Sequence, residues 1–231
     1  MPEQRRKRPH APAATPGKQP CVLLTGFEPF GGEAVNPSWQ AVHALDGRRI
    51  AGHHVVAVCL PTAFGAARKA LKAAVAAHAP QLVVCVGQAG GRSALSLERV
   101  AINIDDARIA DNAGAQPVDA PISHKGPAAY FSTLPIKAML SALQAEGIAA
   151  EVSQTAGTFV CNHVFYALMR LLRKSPQVRG GFIHVPYLPE QARGKAAPSL
   201  PLDQITRGLR VAVRTALRTH ADITLAAGAT H

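Results

Sequence analysis

A chain of 231 residues with 48% hydrophobic and 17% charged residues has globular composition, which excludes a disordered or collagen-like protein. Its 25 Lys and Arg against 14 Asp and Glu give a net charge of +11, favouring anionic partners without dictating a fold. No run of 18 or more apolar residues is present to span a bilayer, so no membrane partner is expected.

Residues 1–20 read as a disordered basic tail. Arg5, Arg6, Lys7, Arg8 and Lys18 stand against Glu3, and five prolines from Pro2 to Pro20 oppose regular structure. No apolar segment follows the basic cluster, so it does not read as a secretory signal, and any nucleic-acid binding through it is nonspecific. A folded domain is expected over residues 21–221, followed by a short C-terminal tail over 222–231.

Within that domain, apolar runs alternate with helical periodicity. A strand over Cys21–Thr25 ends in the turn Gly26–Gly32, and Asn36 followed by Pro37 starts a helix with a polar cap. A second strand is expected over Val55–Leu60. Pro61 and Thr62 then open a helix with Phe64, Ala67, Leu71 and Val75 on one face and Arg68, Lys69 and Lys72 on the other. Gln81–Val86 is a continuous apolar run of the buried parallel kind. A further extended stretch covers Leu95–Ile104, and Asp105–Lys125 is a polar loop long enough to be functional. Pro135–Glu146 is a helix stopped by Gly147, Ala149–Ser153 a short strand, and Thr158 a cap for a helix reaching about Lys174. Phe182–Val185 is another strand, Pro186–Pro201 a proline-punctuated loop, and Leu202 to about Thr219 the last helix. This pattern predicts an α/β fold with helices on the faces of a sheet.

Four segments are not explained by apolar regularity: TGFEPFGG (25–32), GQAGGR (87–92), TAGTFVCNH (155–163) and FIHVPYLP (182–189). Each follows or ends a predicted strand, where open α/β sheets form their ligand crevice. Cys161 lies near the start of its helix, where the partial positive charge stabilises a thiolate and free backbone N–H groups bind an oxyanion. Cys21, Cys59 and Cys85 lie in apolar strands and read as small core residues in a reducing compartment. A buried structural cysteine is the competing reading for Cys161.

A thiol nucleophile needs a base. His163 is two residues along the same helix and points away, whereas His184 sits at the end of a strand. The third member is an acid that orients the histidine. Glu98 stands in an apolar stretch where a carboxylate requires a partner, and its alternative is an ion pair with Arg99 or Arg108. Asp105, Asp106 and Asp111 compete for the same role. The residues thus point to a hydrolase with a Cys–His–acid triad. They carry no nucleotide fingerprint, no metal-ligand spacing and no basic–aromatic interleaving, so no cofactor is expected.

Taken together, the segments resemble the type I pyroglutamyl peptidases. TGFEPFGG-x-x-x-NPS at 25–38, GQAGGR at 87–92, LERVAIN at 97–103, DDARIADN at 105–112, AGTFVCN at 156–162 and HVPYLPEQ at 184–191 carry the likeness. It implies a single-domain, three-layer α/β/α sandwich around a mixed, mostly parallel sheet, with Glu98, Cys161 and His184 as catalytic triad. It also implies a thioester acyl-enzyme, a cytoplasmic enzyme without a metal, a homo-oligomer (dimer or tetramer), and release of N-terminal pyroglutamate from peptides. For that small neutral lactam, Phe27 and Phe30 are candidate pocket walls and Gln88 a candidate polar contact or part of the oxyanion region. Arg108 is a candidate for orienting Glu98 or a loop. A silent basic binding protein or another α/β/α hydrolase on the same fold are the alternatives.

Overall fold

The computed structural model describes residues 20–228; residues 1–19 of the basic tail and the last three residues lie outside that range. The first strand, β1 (Cys21–Phe27), is buried along its whole length. It is followed by α1 (Pro37–His43), whose cap is the expected one: the Asn36 carboxamide accepts the Ser38 N–H. A two-residue strand, β2 (Arg49–Ile50), precedes β3 (His53–Leu60) and α2 (Phe64–His78). Then come β4 (Leu82–Gln88), β5 (Leu95–Glu98), β6 (Val100–Ile102) and β7 (Ala129–Phe131). The rest of the chain forms α3 (Ile136–Ala145), β8 (Ala150–Ser153), α4 (Val160–Leu172), β9 (Arg179–Val185), α5 (Pro189–Ala192) and α6 (Leu202–Arg218).

Seven strands form one sheet in the order β2-β3-β1-β4-β9-β5-β8. The pairs β3–β1, β1–β4, β4–β9 and β5–β8 are parallel, while β2–β3 and β9–β5 are antiparallel. Residues on alternate sides of each strand feed two cores. Val22, Leu24 and Val84 pack with Val42, Met139 and Leu209 of α1, α3 and α6. Leu23, Val83 and Phe182 pack with Leu71, Val164 and Leu168 of α2 and α4. The result is the expected three-layer α/β/α sandwich with a mixed, mostly parallel sheet. The stretch predicted as one extended segment over Leu95–Ile104 divides at Arg99: β5 joins the main sheet and β6 pairs with β7 outside it.

Two caps differ from the sequence expectation. α2 begins at Phe64 rather than at Pro61, and its cap is remote: Asp111 accepts the Phe64 N–H at 2.9 Å. The same carboxylate accepts the N–H groups of Ala113 and Ala115, which turns the long polar loop. Burial pushes the Asp111 carboxyl up, but these hydrogen bonds outweigh burial and hold it below its ordinary value. Asp111→Ala is therefore expected to cost about 1–2 kcal/mol, as loss of a cap does. In a chain of this size that is about 2–4 °C in Tm per kcal/mol. Because the folded pKa is depressed, the stabilisation is present above the unfolded carboxylate pKa and is lost as pH falls through the folded value. Thermal unfolding of both proteins across acidic pH should show the Tm gap closing.

At the other end, residues 222–228 lie against the body. Asp222 accepts the N–H groups of Lys137 and Ala138 in the first turn of α3, and the Ala227 carbonyl accepts from Arg99. Among the described residues no helix is long and apolar enough to cross a membrane.

Candidate active site

The C-terminal ends of β1, β4 and β9 share one rim of the sheet, and their loops carry three of the four unusual segments. α4 supplies the fourth. Its cap is Phe159, with extended backbone and no side-chain bond, so Thr158 is not the cap. The Thr158 hydroxyl donates to the Asp106 carbonyl instead, tying the polar loop to the start of α4. Cys161 is consequently the second residue of the helix, closer to its N-terminus than the sequence suggests. The first helical bond into the cap is His163 N–H to Phe159 O, so the amides of residues 160–162 precede the hydrogen-bonded ladder.

Gly87 explains how Cys161 reaches the sheet. A methyl group there would lie 2.7 Å from Cys161 Sγ and 2.8 Å from the Phe182 ring, so only glycine lets the thiol settle on β4. Gly87 pairs in register with His184 on β9. Parallel partners point to the same face, so the thiol and the imidazole share it. The His184 ring packs against Phe182 at 4.8 Å between centroids.

Glu98 arrives from the opposite direction, because β5 is antiparallel to β9 and pairs Ser96 with His184. Its Oε1 lies 2.7 Å from His184 Nδ1, and its side chain is fully buried. The arginine on this carboxylate is Arg92, with Nη1 at 2.6 Å and Nη2 donating to the Thr155 carbonyl. Arg99 and Arg108 do not serve Glu98. Arg99 bonds Gln154 and the Ala227 carbonyl, and Arg108 is exposed on the polar loop. The three competing aspartates are also engaged elsewhere. Asp105 pairs with His163 at 2.8 Å and Asp111 caps α2, while Asp106 holds Thr158 through its backbone N–H and carbonyl and leaves its carboxylate exposed.

Burial pushes the Cys161 thiol up to about 12; the Glu98 charge adds to that and Arg92 offsets part of it. Burial thus works against the lowering expected from the helix N-terminus. A terminal dipole contributes about 0.3–1 kcal/mol, less than the ~1.4 kcal/mol that a single pKa unit represents. Burial also raises Cys59 to about 11 and Cys85 to about 12. Cys161 thus rests as a thiol and needs a base.

Beside the thiol a small pocket opens. Phe27, Phe30 and Gln88 line it together with Cys161, as do Asn36, Thr62, Phe159 and Val160. Phe30 and Phe64 both pack on Phe159, with centroids 6.1 and 5.3 Å apart. Asn36 Nδ2 and the Thr62 hydroxyl both donate to the Glu28 carbonyl, fixing the first loop and the two phenylalanines that flank it. Sequence reasoning gave Asn36 only a capping role and overlooked Phe159, Thr62 and Arg92. Arg92 did stand in a singled-out segment, as the one charge among its glycines.

The three-layer fold with a thiol, an imidazole and a buried carboxylate at one end of the sheet defines a protein of the cysteine-peptidase class. A sequence model of the pyroglutamyl peptidase family matches residues 20–219. The pyrrolidone-carboxylate peptidase of Cupriavidus taiwanensis is 60% identical over 215 residues, covering 92% of this chain and all of that protein. The Bacillus cereus enzyme of the same name is 52% identical over 212 residues, covering 91% and 99%. The crystal structure of pyroglutamyl peptidase I from Bacillus amyloliquefaciens superposes with a TM-score of 0.88 at 52% identity, covering 90% of this chain and all of that one. The pyrrolidone carboxyl peptidase of Thermococcus litoralis gives 0.84 at 36% identity, with coverage of 89% and 100%. The chain belongs to the pyroglutamyl peptidase family and is a cysteine peptidase.

Proposed function

We propose that the chain hydrolyses the bond after an N-terminal pyroglutamyl residue, with Cys161 as nucleophile, His184 as general base and acid, and Glu98 as orienting carboxylate. The observation that carries this reading is the 2.7 Å contact of Glu98 Oε1 with His184 Nδ1, on the face of the sheet where Cys161 Sγ sits. With Nδ1 held by the carboxylate, Nε2 is the nitrogen that exchanges a proton with the thiol. His184 removes the Cys161 proton as Sγ attacks the pyroglutamyl carbonyl. The oxyanion is held by amides of the first turn of α4. His184 then protonates the leaving amine, leaving a thioester, and delivers a water to it in the second half-reaction. The resting thiol suits this order, since charge appears only as the bond forms.

Phe27, Phe30 and Phe159 supply apolar walls for a lactam ring, and Gln88 a polar contact. Arg108, exposed on the loop that packs beside the first loop, orients that loop in this reading. Neither the pocket nor the triad requires a cofactor, and the substrates are peptides with N-terminal pyroglutamate. We assign the enzyme to the cytoplasm, and to a homo-oligomer, dimer or tetramer; exposed Val118 and Phe131 offer apolar surface for a second copy.

The test is a direct comparison of pyroglutamyl and prolyl amides. A site built to hydrogen-bond a ring carbonyl rejects the analogue lacking it by roughly 10⁴-fold or more. Comparable kcat/KM for the two amides would refute the lactam pocket.

A further inference from the structure

We propose that Gln191, in α5, is a positioning residue that fixes the amide of Gln88 so that the pocket presents N–H donors and never a carbonyl. The inference rests on the lactam reading above and deepens it.

Gln191 and Gln88 are both buried. Gln191 Oε1 accepts the Leu188 N–H at 3.0 Å. Its Nε2 faces three acceptors: the Val35 carbonyl at 3.2 Å, Glu33 Oε2 at 3.2 Å and Gln88 Oε1 at 3.1 Å. A backbone N–H only donates and a backbone carbonyl only accepts. Turning the Gln191 amide over would therefore set its oxygen against three oxygens and its nitrogen against an N–H. Glu33 reinforces the assignment. Its carboxyl is held below its ordinary value chiefly by the Lys195 ammonium, so it stays an acceptor at neutral pH.

Once Gln191 is fixed, Gln88 has no choice either. Its Oε1 is occupied, while its Nε2 makes no hydrogen bond among the described residues and belongs to a side chain lining the pocket with Cys161. An amide nitrogen that faces the pocket without a protein partner is a ready donor. The group it meets on the substrate must be an acceptor, which on a pyroglutamyl ring is the lactam carbonyl. Gln88 is the last residue of β4 and Gln191 lies in α5, just after β9, so substrate selectivity depends on how the ends of two neighbouring strands are joined.

The experiment pairs kinetics with a readout independent of turnover. Gln191→Leu removes the clamp, and Gln191→Glu keeps the acceptor for Leu188 while removing every donor. In either variant that folds with a cooperative transition, KM for a pyroglutamyl amide should rise roughly tenfold while kcat stays within about threefold. In a Gln88→Ala background the same substitutions should add nothing, because Gln191 acts only through Gln88. NMR of the side-chain amides should show Gln88 NH₂ contacts to the Phe27 and Phe30 rings in the native protein, lost in both variants. An unchanged KM in both variants, or a full additional loss in the Gln88→Ala background, would overturn the proposal. If native Gln88 shows the ring contacts yet the protein fails to cleave pyroglutamyl amides, the lactam reading falls and the clamp stands.

Discussion

Cys161→Ser is expected to lower kcat for a pyroglutamyl amide by at least about 10³-fold. Complete loss of a nucleophile from a triad costs on the order of 10⁶, and a serine hydroxyl is a weaker nucleophile than the thiol it replaces. The structure says why the loss should be large. The position is tuned to a thiol that burial holds protonated until attack, with its pKa pushed to about 12. Swapping sulfur for oxygen leaves the same base with a harder proton to remove. Substrate affinity should change little, because the ring walls and Gln88 are untouched. A structural cysteine would behave differently. Serine would then leave a poorly satisfied buried hydroxyl, costing about 1–3 kcal/mol of stability, with kcat preserved in the folded fraction. Steady-state kinetics beside thermal unfolding of the purified variant separates the two, and a native kcat would remove Cys161 from its role.

How far the sequence announced this site differs from element to element, and the reason is physical. Long buried strands such as β4 declare themselves by continuous apolar runs, and α1 by Asn36 and Pro37. The two-residue β2 and the three-residue β7 carry too few side chains for any period. Thr158 has the chemistry of a cap, yet tertiary structure draws its hydroxyl to Asp106 O, while Asp111 caps α2 from 47 residues away. Local propensity cannot see such partners. The direction of β5 was equally hidden, since antiparallel pairing with β9 is a tertiary choice, and it decides how Glu98 meets His184. The glycines after β4 turn Arg92 back onto Glu98, so the arginine six residues before the acid meets it rather than adjacent Arg99. The triad was legible through the family likeness; the partners that tertiary structure supplies, Arg92 for Glu98 and Asp111 for α2, were not.

Glu98→Gln is the sharpest test of those pairings, because one oxygen, Oε1, serves both His184 and Arg92. A triad acid replaced by its amide can cost up to about 10⁴-fold in kcat, because the amide favours the wrong imidazole tautomer. Here the loss should be at least about 10²-fold. Burial opposes ionisation of the Cys161 thiol, so its deprotonation depends on an oriented base. Stability should fall as well, but modestly. The Arg92 side chain is 25% exposed, so water can replace part of what the carboxylate gave it, and about 1–3 kcal/mol is expected. Arg92→Gln gives the control. It removes the ion pair while leaving the Glu98–His184 contact, so it should lower stability by a similar amount and kcat by less than about tenfold. KM should move little in both variants, since neither residue lines the pocket. If Glu98 served only to pair with Arg92, the two substitutions would give equal losses of stability and equal, small changes in kcat. Unequal kcat at matched Tm assigns Glu98 to His184. The Asp105 and Asp111 carboxylates are committed to His163 and α2, that of Asp106 is exposed, and the carboxylate that contacts His184 is Glu98.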